Sequence, residues 1–113
     1  MHEMSLAESV LEIAEQAARE QGFRRVKAIR LEIGALSAVD PEAMRFCFSA
    51  VARNSMAEAA RLEVVAVAGS AQCLQCAKQV EVQTLGDLCP ECGSHRLEIT
   101  GGMEMRVKEM EVE

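Results

Sequence analysis

The sequence predicts an α+β fold: two helices on a three-stranded sheet, with a four-cysteine module inserted before the last strand. Three observations carry this reading. Apolar residues recur at helical spacing in two segments that also carry cap residues. Three further segments alternate apolar and polar residues or are rich in Val, as strands are. Between the second and third of those lie two Cys-x-x-Cys pairs.

The first helix is expected over residues 6–21. Leu6, Val10, Ile13 and Ala17 form one stripe, with Ala7, Leu11, Ala14 and Ala18 beside it. Ser5 and Glu8 make an S-x-x-E capping box, and Gly22 suits the position after the last turn. That start leaves residues 1–4 as a short free arm. Residues 27–34 alternate, with Lys27, Ile29, Leu31 and Ile33 on one face and Ala28, Arg30 and Glu32 on the other. A turn over 34–39 leads to Asp40 as N-cap and Pro41 in the first turn of a second helix. Met44, Cys47, Phe48 and Val51 give that helix its apolar stripe, and Cys47 reads as a buried thiol.

Residues 61–68 form a Val-rich strand that Gly69-Ser70 breaks. Gly101-Gly102 ends the insert. In the tail, Met103, Met105 and Val107 share one parity while Met110 and Val112 share the other, so a β-bulge is expected near Lys108-Glu109. The expected division is residues 1–68 plus 103–113 as one domain and 69–102 as the inserted module.

Of the 113 residues, 50% are hydrophobic but only 3% aromatic, with seven Met and no Trp or Tyr. The core is therefore aliphatic and adaptable at its methionines. The net charge of −6 speaks against a nucleic acid or an anionic membrane as partner. An acidic surface suits cations or a basic protein partner, and solubility alone also explains it. No apolar run approaches the ~18 residues of a membrane span. Residues 1–4 show no basic or apolar signal region, so a reducing cytoplasmic setting is expected. There, paired Cys-x-x-Cys motifs read as metal sites before disulfides.

The motif is C-x2-C-x12-C-x2-C, on Cys73, Cys76, Cys89 and Cys92. Two residues between cysteines let each pair bend tightly and offer both sulfurs to one ion. Zinc accepts four thiolates in a tetrahedron. Pro90 and Gly93 favour the sharp second turn, and Val80-Glu81-Val82 suits a short hairpin between the pairs. The expected module is zinc-ribbon-like and closed, hence structural: metal binding folds a segment too small for its own core. A redox dithiol normally uses one such motif at a strand–helix junction, which fits poorly. His95 reads as a loop residue or an outer donor near the site.

His2 follows the first methionine directly. The amine of Met1, the amide of His2 and its imidazole can chelate a metal in one plane. Such nitrogen sites suit Ni(II) or Cu(II) better than zinc. Glu3 can add an oxygen, or its amide a fourth nitrogen, and Asp40 is another candidate oxygen. A disordered terminal residue is the plain alternative.

The residues together resemble the HypA/HybF family of hydrogenase maturation nickel chaperones. The resemblance runs through Met1-His2-Glu3, Leu31 to Ser37, Val39-Asp40-Pro41-Glu42, Phe46-Cys47-Phe48, the four cysteines and the tail from Gly102 to Glu113. Met110 departs from the aliphatic Ile common there. The resemblance implies a nickel cargo held at His2, structural zinc on Cys73, Cys76, Cys89 and Cys92, and no enzyme activity. It implies a HypB-type GTPase partner, delivery to the large subunit of a [NiFe] hydrogenase, and in some members exchange with a urease nickel chaperone.

Two other classes compete. A zinc-ribbon module could bind nucleic acid or a transcription partner. Against it, Lys78 and Arg96 face Glu81, Asp87, Glu91 and Glu98 across residues 68–102, and no aromatic platform for bases is present. A zinc hydrolase would need an open coordination position and a positioned base, and neither is apparent.

Overall fold

The computed structural model describes residues 2–113. Its elements run α1 (His2–Gln21), β1 (Val26–Gly34), α2 (Pro41–Val51), β2 (Arg61–Val67), β3 (Gly69–Cys73), β4 (Gln79–Val82), β5 (Leu97–Gly101) and β6 (Met105–Val112). One sheet has the order β2-β1-β6 and a second the order β4-β3-β5. The α+β class with a four-cysteine module is as the sequence predicts. The chain divides into two compact units, one of Met1–Leu31, Val39–Val65 and Arg106–Glu113, the other of Glu32–Ala38 and Ala66–Met105.

In the first unit α1 packs against α2. The contact face of α1 is small, with Ala7, Val10 and Ala14 buried. Against it α2 buries Met44, Cys47 and Phe48. Asp40 caps α2 as expected: its backbone is extended, its carboxylate accepts from the amides of Glu42 and Ala43, and Pro41 follows. At the far end of α1, Gly22 takes φ 80 and its amide returns to the Ala18 carbonyl at 2.8 Å.

Three expectations need correction. The first is the start of α1. It begins at His2, with Ser5 inside the helix accepting a bond from the Ser9 hydroxyl at 3.1 Å. The arm expected over residues 1–4 is thus helical from His2, and residue 1 lies outside the described residues. Tertiary contact overrides the local cap signal: Met4 is half-buried, and the Glu3 carboxylate accepts from the Asp40 amide at 3.3 Å. The second is β1, where Val26 and Ala28 are buried and Lys27 is exposed. As the central strand it is covered on both faces, so simple alternation fails. Arg30 explains part of that cover. Its guanidinium lies 2.9 Å from Glu63 of β2 and 3.2 Å from Glu109 of β6, spanning the sheet.

The third correction concerns Gly69-Ser70, which opens β3; the break falls at Ala68. A Cβ at Gly69 would stand 2.6 Å from the Val82 carbonyl, so this glycine permits a close backbone approach inside a strand. In the tail, Met105, Val107 and Met110 are the half-buried residues of β6. The inward parity therefore changes across Lys108-Glu109, where the sequence suggests a bulge.

The second unit is built on β3, which pairs antiparallel with β4 and with β5. Gln72 lies opposite Gln79 on one side, and Cys73 opposite Leu97 on the other. The core is Leu36, Ala71, Cys73, Val80, Val82 and Cys89, with Cys76, Leu97 and Ile99 against it. Two cysteines are thus core residues, so the centre of this unit is also its metal-binding chemistry.

Candidate metal centre

Each Cys-x-x-Cys pair forms a knuckle, and the two are built alike. In the first, the Ala77 amide donates to the Cys73 carbonyl at 3.0 Å and the Cys73 amide to the Lys78 carbonyl at 2.9 Å. In the second, the Gly93 amide donates to the Cys89 carbonyl at 2.8 Å and the Cys89 amide to the Ser94 carbonyl at 2.8 Å. Both turns need a left-handed residue after the second cysteine, and Ala77 (φ 65) and Gly93 (φ 78) supply it. Glycine takes that conformation without strain, whereas alanine does not.

The knuckles place the four Sγ atoms within 4.8 Å of one another. Across the knuckles, Cys73 and Cys92 are 3.6 Å apart and Cys76 and Cys89 3.8 Å. Four sulfurs around zinc at ~2.3 Å define a tetrahedron with edges of about 3.8 Å. A disulfide would need ~2.05 Å. The donor set thus fits a four-thiolate ion such as zinc, and all four cysteines are free thiols. The Cys73 thiol is pushed down to about 6, first by the Cys76 amide. For Cys92 the Ser94 amide favours the thiolate, but burial and the other three thiols outweigh it, and the value rises to about 12. Four sulfurs this close cannot all ionise without a cation between them.

His95 is exposed and is not part of this cluster. Cys47 is 1% exposed in the core of the first unit, far from a ligand's role.

The amino-terminal candidates also meet. His2 Nδ1 lies 3.7 Å from Glu3 Oε2, and the same oxygen accepts from the Asp40 amide. That amide, more than any other group, holds the Glu3 carboxyl below its usual range. The Asp40 carboxylate is turned to its own helix, with Oδ1 2.9 Å from the Glu42 amide. Among the described residues, the side chains of His2, Glu3 and Asp40 do not converge as a three-ligand set; only the four cysteines do. Met1 lies outside the described residues.

Sequence reasoning missed the Glu3–Asp40 contact, which joins residues 37 apart and leaves no local signal. It also missed an ion pair between Lys78 and Glu91 at 3.2 Å. The opposite charges in the two knuckles were the one available clue.

The model of a family described as hydrogenase/urease nickel incorporation, metallochaperone, HypA, matches residues 1–112. Hydrogenase maturation factor HypA of Rhodopseudomonas palustris (strain TIE-1) is 57% identical over 113 residues, covering both chains fully. The protein of that name from Dechloromonas aromatica (strain RCB) is 55% identical over the same length. Among solved structures, the solution structure of the Ni metallochaperone HypA from Helicobacter pylori is similar with TM-score 0.70 and 25% identity, covering 97% of this chain and 96% of that one. A second solution structure, of a HypA protein, gives TM-score 0.74 and 26% identity over 99% and 96%.

Proposed function

We propose a nickel-delivery function from one premise: the chain belongs to the HypA family, whose members are metallochaperones of nickel incorporation. Nickel is the cargo and zinc the resident structural ion. Ni(II) is held by the Met1 amine, the His2 amide and the His2 imidazole. The fourth position goes to the Glu3 amide in preference to its carboxylate, which is already engaged by Asp40. Asp40 acts as a cap and an anchor for Glu3.

The observation that carries this reading is the start of α1 at His2. Amides in the first turn of a helix have no carbonyl four residues back to bind. Neither the His2 nor the Glu3 amide is committed to a helical carbonyl, and the Glu3 amide faces only its own carboxylate, so both can give up a proton to nickel. The positive end of the helix dipole favours the anionic amide that results. His2 is also more than half exposed, as a site that must load and unload requires. Proton release on binding makes affinity depend on pH, which gives a route to unloading.

In this reading the α+β part, 1–68 plus 103–113, carries nickel. The module over 69–102 carries zinc on Cys73, Cys76, Cys89 and Cys92. The chain acts as a cytoplasmic binding protein without catalysis of its own. It works with a HypB-type GTPase and passes nickel to the large subunit of a [NiFe] hydrogenase. A urease nickel chaperone is a further recipient to test.

The experiment is nickel titration of untagged protein followed by absorption spectroscopy, with zinc counted in parallel. His2→Ala is expected to lose the planar, diamagnetic Ni(II) signature and keep one zinc per chain. A tag fused before Met1 removes the free amine and weakens nickel as well. Stoichiometric nickel retained by His2→Ala sinks the amino-terminal site.

A further inference from the structure

We propose that the corner where β1 begins is a docking site for a short acidic segment of another protein, gripped by Arg24 and Arg25. The inference goes beyond the nickel reading and does not depend on it.

The chain holds 18 acidic and 12 basic residues, yet the stretch between Glu20 and Glu32 has no acid and carries Arg24, Arg25, Lys27 and Arg30. Arg30 is paired with Glu63 and Glu109. Among the described residues, Arg24, Arg25 and Lys27 have no carboxylate partner, and neither has Arg53 in the turn after α2. The two segments meet at one place. The Val26 amide donates to the Met56 carbonyl at 3.1 Å, and the Arg24 and Arg25 amides donate to the Glu113 carbonyl at 3.0 and 3.3 Å. The backbone of both arginines is thus pinned while their side chains are exposed. An open cavity of about 330 Å³ lies here, its lining including Arg24, Arg25, Ser55, Met56 and Glu58. The Ser55 hydroxyl is spent on the turn, donating to the Ala52 carbonyl at 2.6 Å and accepting from the Ala57 amide at 3.1 Å. The Glu58 carboxylate accepts from the Asn54 amide at 3.0 Å. The acid in this lining is therefore engaged by its own turn, and the two guanidinium groups are left to meet a ligand.

The chemistry selects the class of ligand. A guanidinium presents a planar fork that takes a carboxylate through two parallel hydrogen bonds. Two such forks on one cavity suit two carboxylates of one peptide, and half-buried Met56 offers an apolar contact for their stems. Extent selects the partner. The whole chain carries −6, so nucleic acid or an anionic bilayer meets repulsion beyond the corner. A short acidic segment meets the cations alone. Lys27 and Arg53 flank the corner in sequence and add attraction at longer range.

The test uses the full chain and fluorescently labelled hexaglutamate, read by anisotropy, with hexaglutamine as the uncharged control. Hexaglutamate is expected to bind, more weakly as salt is raised, and hexaglutamine is not. Arg24→Gln combined with Arg25→Gln should weaken hexaglutamate about 10-fold. Arg96→Gln removes a cation from the other unit and should leave binding unchanged. Amide resonances of residues 24–27 and 53–59 should shift as the peptide is added. Circular dichroism checks the fold of the double variant. If it does not fold, Arg53→Glu at an exposed turn position replaces it, with an expected weakening of about 3-fold. Absence of hexaglutamate binding overturns the proposal. So does equal weakening by Arg96→Gln, which would mark attraction to net charge alone, and so do resonance shifts confined to other residues. Inorganic phosphate or phosphatidylserine vesicles binding through Arg24 and Arg25 where hexaglutamate does not would assign the corner to another class of anion and refute the peptide reading.

Discussion

The two knuckles differ at one position in a way that can be measured. Both need a left-handed residue, and one has Gly93 while the other has Ala77. Gly93→Ala is a clean perturbation, because no atom lies within 4 Å of where the new Cβ would stand. Its cost is conformational alone. A left-handed alanine costs ~1–2 kcal/mol. Against this, alanine narrows the unfolded chain and returns ~0.4–1 kcal/mol. The net is about 1 kcal/mol of destabilisation. If folding of the module is coupled to its metal, that cost appears in metal affinity as about fivefold. Ala77→Gly reverses each term and should tighten binding by about the same factor. The assay is competition for zinc against a chelator of known affinity, read optically on untagged chain. The two variants must move in opposite directions. Weaker binding by Ala77→Gly, or unchanged binding by Gly93→Ala, would refute the claim that backbone strain in the knuckles sets the affinity.

Two further outcomes follow from the first unit. The Glu3 carboxyl is held below its ordinary value of 4.5, chiefly by the Asp40 amide. A depressed carboxyl contributes stability above its unfolded value and loses it as pH falls through the lower folded value. The Asp40 amide resonance should therefore shift as acid is added below about 4.5, and Glu3→Gln should abolish that shift. A titration curve centred above the ordinary value would contradict the contact. Met44 is fully buried in α2, at 0% exposure. Met44→Ala should cost ~2–5 kcal/mol in urea unfolding, with little change in slope. A loss under about 1 kcal/mol would mean that the helices close over the gap.

What could be read from the sequence was chemistry that acts over a few residues. Asp40 followed by Pro41 specifies a helix start locally, and α2 begins there. The Cys-x-x-Cys pairs specify knuckles by spacing, and the four sulfurs meet accordingly. The family was legible because its short motifs stand in order along the whole chain. Contacts between distant residues were not legible. Ser5 and Glu8 carry a proper capping signal, but Glu3 bound to Asp40 and a half-buried Met4 extend α1 past it. Lys27 fits the alternation of a one-sided strand, but Arg30 bridging two neighbours makes β1 a covered centre. Gly69 reads as punctuation until Val82 and Leu36 are seen to occupy the space a Cβ there would need. At the amino terminus the candidates His2, Glu3 and Asp40 were named from sequence. The contact between Glu3 and Asp40 was not, since it joins residues far apart in the sequence.

Leu36 has a practical consequence for anyone dissecting the molecule. It is 6% exposed and fills the core around Cys73 and Cys89, yet it comes from the stretch 32–38, well before the cysteine segment in sequence. A peptide of residues 69–102 would hold the four clustered thiols and still leave that space open. Val82 and Ala71, which line it, would then face water. The smallest fragment worth synthesising must supply residues 32–38 in some form, either as a second peptide or through a permuted connection that keeps them in place.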